Sequence, residues 1–233
     1  AKPAREIQCS MALSREEIVA KLDQIPTFAV VNAQGQLMPI RPDAADSAAD
    51  GTECVVWYTE PADAKGALEV ARAQSPEADL RLGVTPLGKA FALVQGWSTS
   101  NSAHPLRLQA NQLLTATLKD MLKEQLQQQG LDPGTWQMPI FSCDALQSPR
   151  MLPLFLSRAD LGATWVAMGR SVESLPEEVT VVDIRILVAQ MQTDLFDWNI
   201  IRFIAPEASV SLVQAAEQAR ANADPLDEPP PLE

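Results

Sequence analysis

The sequence predicts an α+β fold in which a strand-strand-helix-strand-helix module occurs twice, with pseudo-two-fold symmetry and a long amphipathic linking helix. Short β-branched or aromatic segments alternate with amphipathic ones, as strands and helices require. The same order of segments returns after roughly 110 residues, which is longer than the roughly 20–50 residues of a solenoid repeat. These observations favour two similar halves that pack together.

The first half contains six predicted elements in the order helix, strand, strand, helix, strand, helix. Ser14 and Glu17 form a capping box, which places the first helix. The other two helices begin at Pro61 and Pro86, because proline is well tolerated in the first helical turn. Residues 41–53 are rich in Asp, Ala and Pro and predict a loop. The predicted bounds are helix 14–22, strands 25–31, 54–59 and 80–85, and helices from 61 and 86.

The longest predicted helix covers residues 105–129, with His104-Pro105 at its start and Gly130 after its end. Apolar residues recur along it at helical spacing and form a broad band. Two interpretations of this band stay open, namely packing across a sheet or binding of a client protein or partner helix. The candidate protein-binding apolar surface consists of Leu106, Leu113, Leu114, Leu118, Met121 and Leu122.

The second half repeats the plan of the first. The matching segments are 24–28 with 137–141, 56–63 with 153–160, and 80–93 with 178–191. We expect the second copy to add a strand at 198–205 and a helix at 207–219. The predicted organisation is a first repeat half at 12–97 and a second at 104–219, packed as one domain, followed by an acidic, Pro-rich, disordered tail at 220–233.

Charge and composition argue against several functions. The chain has 18 basic and 30 acidic residues and a net charge of −12, so we expect no nucleic-acid partner. The three cysteines, Cys9, Cys54 and Cys143, lie far apart, and His104 is the one histidine, so we expect neither a metal nor a cofactor. No segment approaches the roughly 20 apolar residues of a membrane span. Peripheral membrane association stays open.

Gly83 to Lys89 matches the phosphate-loop pattern G-x-x-x-x-G-K. Ala90 follows it where a hydroxyl must bind Mg²⁺, and Pro86 lacks one of the amides that would surround phosphate. The segment therefore predicts a strand-to-helix turn. No catalytic motif is present, and we predict that the chain is not an enzyme. The alternative is an unrecognised hydrolase-type enzyme that uses carboxylates of the 41–53 loop, such as Asp43 and Asp46, or of a cleft, such as Glu177 and Glu178.

The aromatic residues supply most of the large apolar surface. We expect most of them in the core and a minority in clefts between the halves, where segments of other proteins can dock. They are Trp57, Trp97, Trp136, Trp165, Trp198, Phe28, Phe91, Phe141, Phe155, Phe196 and Phe203.

Several of these segments together resemble a known family. The pattern Ile-Pro-x-Phe followed by Val-Val-Asn-x-x-Gly, the segment Val-x-Pro-Leu-Gly-Lys-Ala-Phe and the repeated Leu-Pro-Leu-Phe-Leu-Ser-x-x-Asp are similar to the twenty-two-kilodalton Tic family, a component of the translocon at the inner chloroplast envelope. The resemblance covers residues 14–219. Its motif residues, to which we assign structural roles, are Pro26, Phe28, Gly35, Pro86, Leu87, Gly88, Lys89, Pro153 and Asp160.

The resemblance implies a non-catalytic, chaperone-like protein that assists protein transport and outer-membrane biogenesis. Its implied partners are unfolded or translocating proteins and the periplasmic domains of outer-membrane barrel-assembly proteins. Its implied location is the periplasm or thylakoid lumen of a cyanobacterium, with the chloroplast intermembrane space as the alternative. The start at residue 1 without Met or a signal core favours the cyanobacterial branch, from a form whose targeting sequence has been removed.

Overall fold

The computed structural model describes residues 11–41, 52–176 and 179–222. These ranges contain seven α-helices and eight strands in two four-stranded sheets. The elements up to the linking helix are α1 (Arg15–Leu22), β1 (Pro26–Asn32), β2 (Val55–Tyr58), α2 (Pro61–Gln74), β3 (Leu80–Pro86), α3 (Leu87–Val94), β4 (Leu106–Gln109) and α4 (Gln112–Gln128). The elements after it are β5 (Pro139–Ser142), β6 (Leu152–Phe155), α5 (Arg158–Ala167), β7 (Thr180–Asp183), α6 (Ile184–Met191), β8 (Ile201–Ile204) and α7 (Glu207–Asn222).

The two sheets share one topology. Their strand orders are β3-β1-β2-β4 and β7-β5-β6-β8, and in each the first two pairings are antiparallel and the last is parallel. Phe28 lies opposite Tyr58 in the first sheet, and Phe141 lies opposite Phe155 in the second. The predicted duplicated α+β module is confirmed.

The strands bury side chains on both faces because alternate residues point to opposite sides of a sheet. Val55 and Trp57 of β2 belong to a central core, whereas Val56 and Tyr58 belong to a core on the other face. The central core also takes residues from the second sheet and from α1, α3 and α6, including Ile140, Leu154, Phe203, Ile18, Phe91 and Ile184. It therefore joins the two halves through a shared apolar interior.

Each sheet has a second apolar cluster on its other face. The first outer core contains Phe28, Val30, Val56, Leu68 and Leu82, and the second outer core contains Phe141, Cys143, Phe155, Leu161 and Trp165. The helix after β4, α4, packs Leu114 and Leu118 against the second outer core, and the helix after β8, α7, packs against the first outer core. The last helix of each half thus covers the sheet of the other half.

The predicted helix 105–129 is wrong at its start. Residues 106–109 form β4, which pairs in parallel with β2, and the helix begins at Gln112 after Asn111, whose side-chain oxygen accepts from the N–H of Leu114 at 3.0 Å. His104-Pro105 precedes a strand, and Leu106 and Leu108 carry the alternation that a strand requires. A strand of four residues forms here because β2 supplies its hydrogen-bond partners.

Because of β4, the two halves have equivalent sets of strands. β8 is not an addition of the second copy, because β4 occupies the same place in the first sheet. Residues 106–109, which the predicted second half at 104–219 includes, lie in the first sheet. The expected strand 198–205 is shorter, since Trp198–Ile200 form a 3-10 helix before β8.

Several local predictions are confirmed. Ser14 and Glu17 form the capping box of α1, and α2 and α3 begin at Pro61 and directly after Pro86. Residues 220–222 of the predicted tail belong to α7, and the rest of the tail lies outside the described residues, as do Cys9, Asp43, Asp46, Glu177 and Glu178. Cys54 and Cys143 are buried in different outer cores and form no disulfide with each other. None of the helices in the described ranges combines the length and apolar character needed to span a membrane.

Candidate functional site

An open groove of about 480 Å³ lies where the two halves meet. One wall is α3 of the first half and the other is α6 of the second, with the segment 131–136 beside them. Ligand-binding pockets usually enclose about 300–1,000 Å³, so the groove can accept one or more large side chains. Its apolar lining is Phe91, Val94, Trp97, Leu106, Leu131, Trp136, Val188 and Ala189.

Equivalent positions of the two repeats line the groove. Phe91 is the fifth residue of α3, and Val188 is the fifth residue of α6. Gln95 and Gln192 follow the two helices as C-caps and lie at the rim. Their side-chain amides can donate hydrogen bonds to a peptide backbone and accept from it. The groove therefore combines an apolar floor with polar groups suited to an extended segment.

The rings of Trp97 and Trp136 line the groove. The ring of Trp97 packs edge-on against Phe91, with 5.4 Å between ring centroids and 76° between planes. The guanidinium of Arg15 lies 5.1 Å from the Trp97 ring, and that of Arg185 lies 4.4 Å from the Trp136 ring. Such cation–π contacts fix ring orientation. Trp97 is half-buried and offers ring surface to a ligand, whereas Trp136 is 7% exposed and belongs to the central core.

Arg185 positions the wall that carries Trp136. Its guanidinium donates to the backbone oxygens of Asp132, Pro133 and Trp136 at 2.8, 3.0 and 2.8 Å, and its Nε donates to Asp183 Oδ1 at 3.0 Å. The Asp183 side chain is fully buried. The other carboxylate oxygen of Asp183 accepts from the N–H of Met138 at 3.1 Å. These bonds attach the 131–136 wall to the start of α6. The signal for this contact in the sequence is the Asp-x-Arg pair at the start of α6.

The six residues of the predicted apolar surface do not form one exposed surface. Leu106 lies on β4 and lines the groove, whereas the other five lie on α4. Leu122 is fully buried, and Leu114 and Leu118 pack against the second outer core. Leu113 and Met121 are 82% and 39% exposed. The helix thus uses its broad apolar band mainly to cover the second sheet.

Burial and turn geometry explain the family-motif residues of the first strand and turn. Pro26 begins β1, and the Phe28 side chain is completely buried in the first outer core. Gly35 follows the strand with a φ of 75°, a conformation that glycine adopts without steric cost.

The Pro-Leu-Gly-Lys segment is explained by packing between α1 and α3. A Cβ added to Gly88 would lie 2.2 Å from the backbone oxygen of Val19 and 2.6 Å from Asp23 Oδ1. The N–H of Lys89 donates to the same Asp23 oxygen at 3.1 Å, while the Lys89 side chain is exposed. Leu87 is completely buried. Glycine is therefore needed for the close approach of the two helices, and the segment is the predicted strand-to-helix turn.

A group of carboxylates lies at the N-terminal ends of α2, α5 and α7. Glu60, Asp160 and Glu207 line one open cavity of about 450 Å³ there. Burial raises the pKa of Glu60, and the negative charges of Asp63 and Asp160 raise it further. Burial also raises the pKa of Asp63, against the opposing effect of the hydrogen bond from Gln112. Within the described ranges, no three His, Cys, Asp or Glu side chains are placed to hold a metal ion.

Comparison with solved structures identifies the fold. Anabaena Tic22, described as a protein-transport protein, superposes with a TM-score of 0.57 at 18% sequence identity, over 94% of this chain and 100% of that one. Tic22 from Plasmodium falciparum superposes with a TM-score of 0.57 at 14% identity, over 86% of this chain and 98% of that one. No protein-family model and no curated protein sequence matches the chain. The family that the sequence resembles and the solved structures therefore share one fold with this chain.

Proposed function

We propose that this chain, which has the Tic22 fold, is a non-catalytic protein-transport factor whose groove binds apolar side chains of unfolded or translocating proteins. The observation that carries the proposal is the groove between α3 and α6, where Phe91, Trp97 and Trp136 meet at the junction of the halves. Aromatic surface beside polar amides suits extended segments that differ in sequence, because apolar contact requires no exact pattern of hydrogen bonds.

The finer role is chaperone-like assistance in outer-membrane biogenesis. A chain passing between membranes exposes apolar side chains, and their burial in the groove lowers their tendency to aggregate. The proposed partners are such chains and the periplasmic domains of outer-membrane barrel-assembly proteins. The proposed location is the cyanobacterial periplasm or thylakoid lumen, or the chloroplast intermembrane space, with peripheral association with a membrane. The net charge of −12 argues against nucleic acid as a partner.

A substitution at the rim tests the groove without disturbing the core. Ala189 lines the groove and is exposed, so Ala189→Trp fills it and Ala189→Glu places a charge in it. The matched controls are Ala163→Trp and Ala163→Glu on α5, where the alanine is also exposed and helical. Aggregation of an unfolded outer-membrane barrel is measured by light scattering at substoichiometric to equimolar ratios of this protein.

We expect the wild type and both controls to suppress aggregation and both Ala189 variants to lose most of that effect. Client binding should also change the fluorescence of Trp97 and Trp136, because both rings line the groove. The wild type should bind the periplasmic domain of a barrel-assembly protein in a pull-down. Equal suppression by all five proteins would remove the groove from the function, and no suppression by the wild type would contradict the chaperone role itself.

The observation that favours the hydrolase alternative is the raised pKa of Glu60, which lines an open cavity, together with the raised pKa of Asp63. Asp63 and Asp160, however, accept hydrogen bonds from helix N-termini, which gives them a structural task. A screen of ester, phosphate and glycoside substrates, with Glu60→Gln as the control, distinguishes the two functions. Turnover that Glu60→Gln abolishes would favour the enzyme.

A further inference from the structure

The helices α4 and α7 occupy equivalent places but are bound to their sheets with unequal strength. Leu122 and Leu126 of α4 are fully buried, and Leu114 and Leu118 pack against the second outer core. On α7, Ser209 is the buried residue. Its apolar contacts with the first outer core come from Leu212, Val213 and Ala216, which are only partly buried. The contact of α7 therefore excludes less apolar surface from water than that of α4.

Hydrogen bonding shows the same difference. The first turn of α4 has its N–H groups bonded to Asn111 and Asp63, both at 3.0 Å, and Gln125 donates to the backbone of β7 at 3.0 Å. The first turn of α7 has the N–H of Glu207 at 3.5 Å from Asp160, at the limit of a hydrogen bond. The Ser209 hydroxyl donates to the Thr59 backbone oxygen. The last six residues of α7, 217–222, are all exposed.

Acidic groups lie together at the start of α7. The Glu207 carboxylate lines the same cavity as Glu60 and Asp160, so three acidic groups from α2, α5 and α7 lie together. Besides burial, the charges of Asp63 and Asp160 raise the pKa of the half-buried Glu60, so the negative charges there act on one another. A helix with a cation in place of Glu207 would be attracted by the carboxylates of Glu60 and Asp160.

We propose that α7 can be displaced from a helix-binding seat, which is formed by β1, α2 and the Glu60–Asp160 pair. The open seat accepts an amphipathic helix of a partner protein that has Lys or Arg in its first turn. The apolar face of the partner helix should resemble that of α7, which packs the aliphatic side chains of Leu212, Val213 and Ala216 against the first outer core. A partner with that apolar face and the opposite charge gains an ion pair that α7 lacks. This seat is separate from the groove between α3 and α6.

Hydrogen exchange of the full chain tests whether α7 detaches. Once undocked, a helix of 16 residues loses most of its stability, because tertiary packing supplies it. We expect α7 amides to exchange at least about tenfold faster than those of α4. Leu212→Ala/Val213→Ala should increase the α7 rate, while Val210→Ala, on the exposed face, should leave it unchanged. Equal protection of α4 and α7 would overturn the proposal.

Peptide binding tests the seat and its charge preference. The probe is a fluorescent peptide of residues 205–222 of this chain, in versions carrying Glu207, Glu207→Gln or Glu207→Lys. When α7 occupies the seat, the apparent affinity for a peptide is the intrinsic affinity multiplied by the fraction of molecules whose seat is open. We therefore expect the chain with Leu212→Ala/Val213→Ala to bind the peptides about tenfold or more tightly than wild type.

The peptide carrying Glu207→Lys should bind most tightly and the one with Glu207 least, with the difference falling as salt is added. Affinities that are the same for the wild-type chain and for the chain with Leu212→Ala/Val213→Ala would contradict displacement of α7. The reverse order of the three peptides would contradict the acidic seat. Because the test uses neither the groove nor an aggregating client, its failure is distinguishable from failure of the proposed function.

Discussion

Asp63 accepts a hydrogen bond from the backbone N–H of Gln112, with 3.0 Å between Oδ2 and the nitrogen, and so joins the first turn of α2 to the first turn of α4. Asp160, the matching residue of the second repeat, stands in the same relation to Glu207 at the start of α7, at 3.5 Å. A carboxylate at a helix N-terminus satisfies a free amide and complements the helix dipole. The two aspartates thus fix where the two covering helices begin.

We expect Asp63→Ala to lower the free energy of unfolding by about 0.5–2 kcal/mol, the range for loss of a helix N-cap. Asp160→Ala should have the smaller effect, because its contact is longer. Urea unfolding of both variants, followed by far-UV circular dichroism, checks this. A larger loss for Asp160→Ala would contradict the unequal attachment of α4 and α7.

Glu60→Gln should make the protein more stable at neutral pH and flatten the dependence of stability on pH. Because the folded-state pKa of Glu60 is raised, the folded chain binds more protons than the unfolded chain between the ordinary pKa of 4.5 and the raised value. Stability therefore falls as pH rises through that range, and Asp63 contributes in the same direction. Urea unfolding from pH 4 to 8 measures the slope. If Glu60→Gln leaves this slope unchanged, the dependence of stability on pH comes from other groups.

Gly88→Ala should destabilise the fold by about 1–3 kcal/mol or more, because α1 and α3 must separate to admit a methyl group. The added Cβ would lie 2.2 Å from the Val19 backbone oxygen, which cannot move without α1. Gly66→Ala on α2 is the control, since nothing lies within 4 Å of its Cβ position. It should gain about 0.5–1 kcal/mol from lower backbone entropy in the unfolded chain. Thermal unfolding of the two variants should shift in opposite directions.

Leu122→Ala and Leu113→Ala distinguish the contribution of α4 to stability from a contribution of α4 to client binding. Leu122 is fully buried, so its truncation should cost about 2–5 kcal/mol of stability. Leu113 is 82% exposed, so its truncation should change stability by less than about 0.5 kcal/mol. Only Leu113→Ala can therefore report on client binding by α4 without unfolding the protein. Unchanged suppression of aggregation by Leu113→Ala would place the client surface elsewhere, as the groove requires.

Most of the secondary structure was accessible from the sequence because its signals are local. The Ser14–Glu17 capping box, the prolines at the starts of α2 and α3, and Gly35 after β1 act within a few residues of chain. The candidate site was less accessible. The sequence predicts that a minority of the aromatic residues line clefts between the halves. Nothing local identifies Phe91, Trp97 and Trp136 as the three that line one groove.

The duplicated α+β plan can be predicted from the sequence, because apolar periodicity, caps and turn residues are repeated in both halves. The strand at residues 106–109 depends instead on tertiary contacts, since these four residues form a strand only because β2 lies beside them. The packing of α4 and α7 on the opposite sheets likewise comes from the three-dimensional fold. An amphipathic helix specifies an apolar face but not its partner, and choosing the partner depends on contacts between residues far apart in the chain.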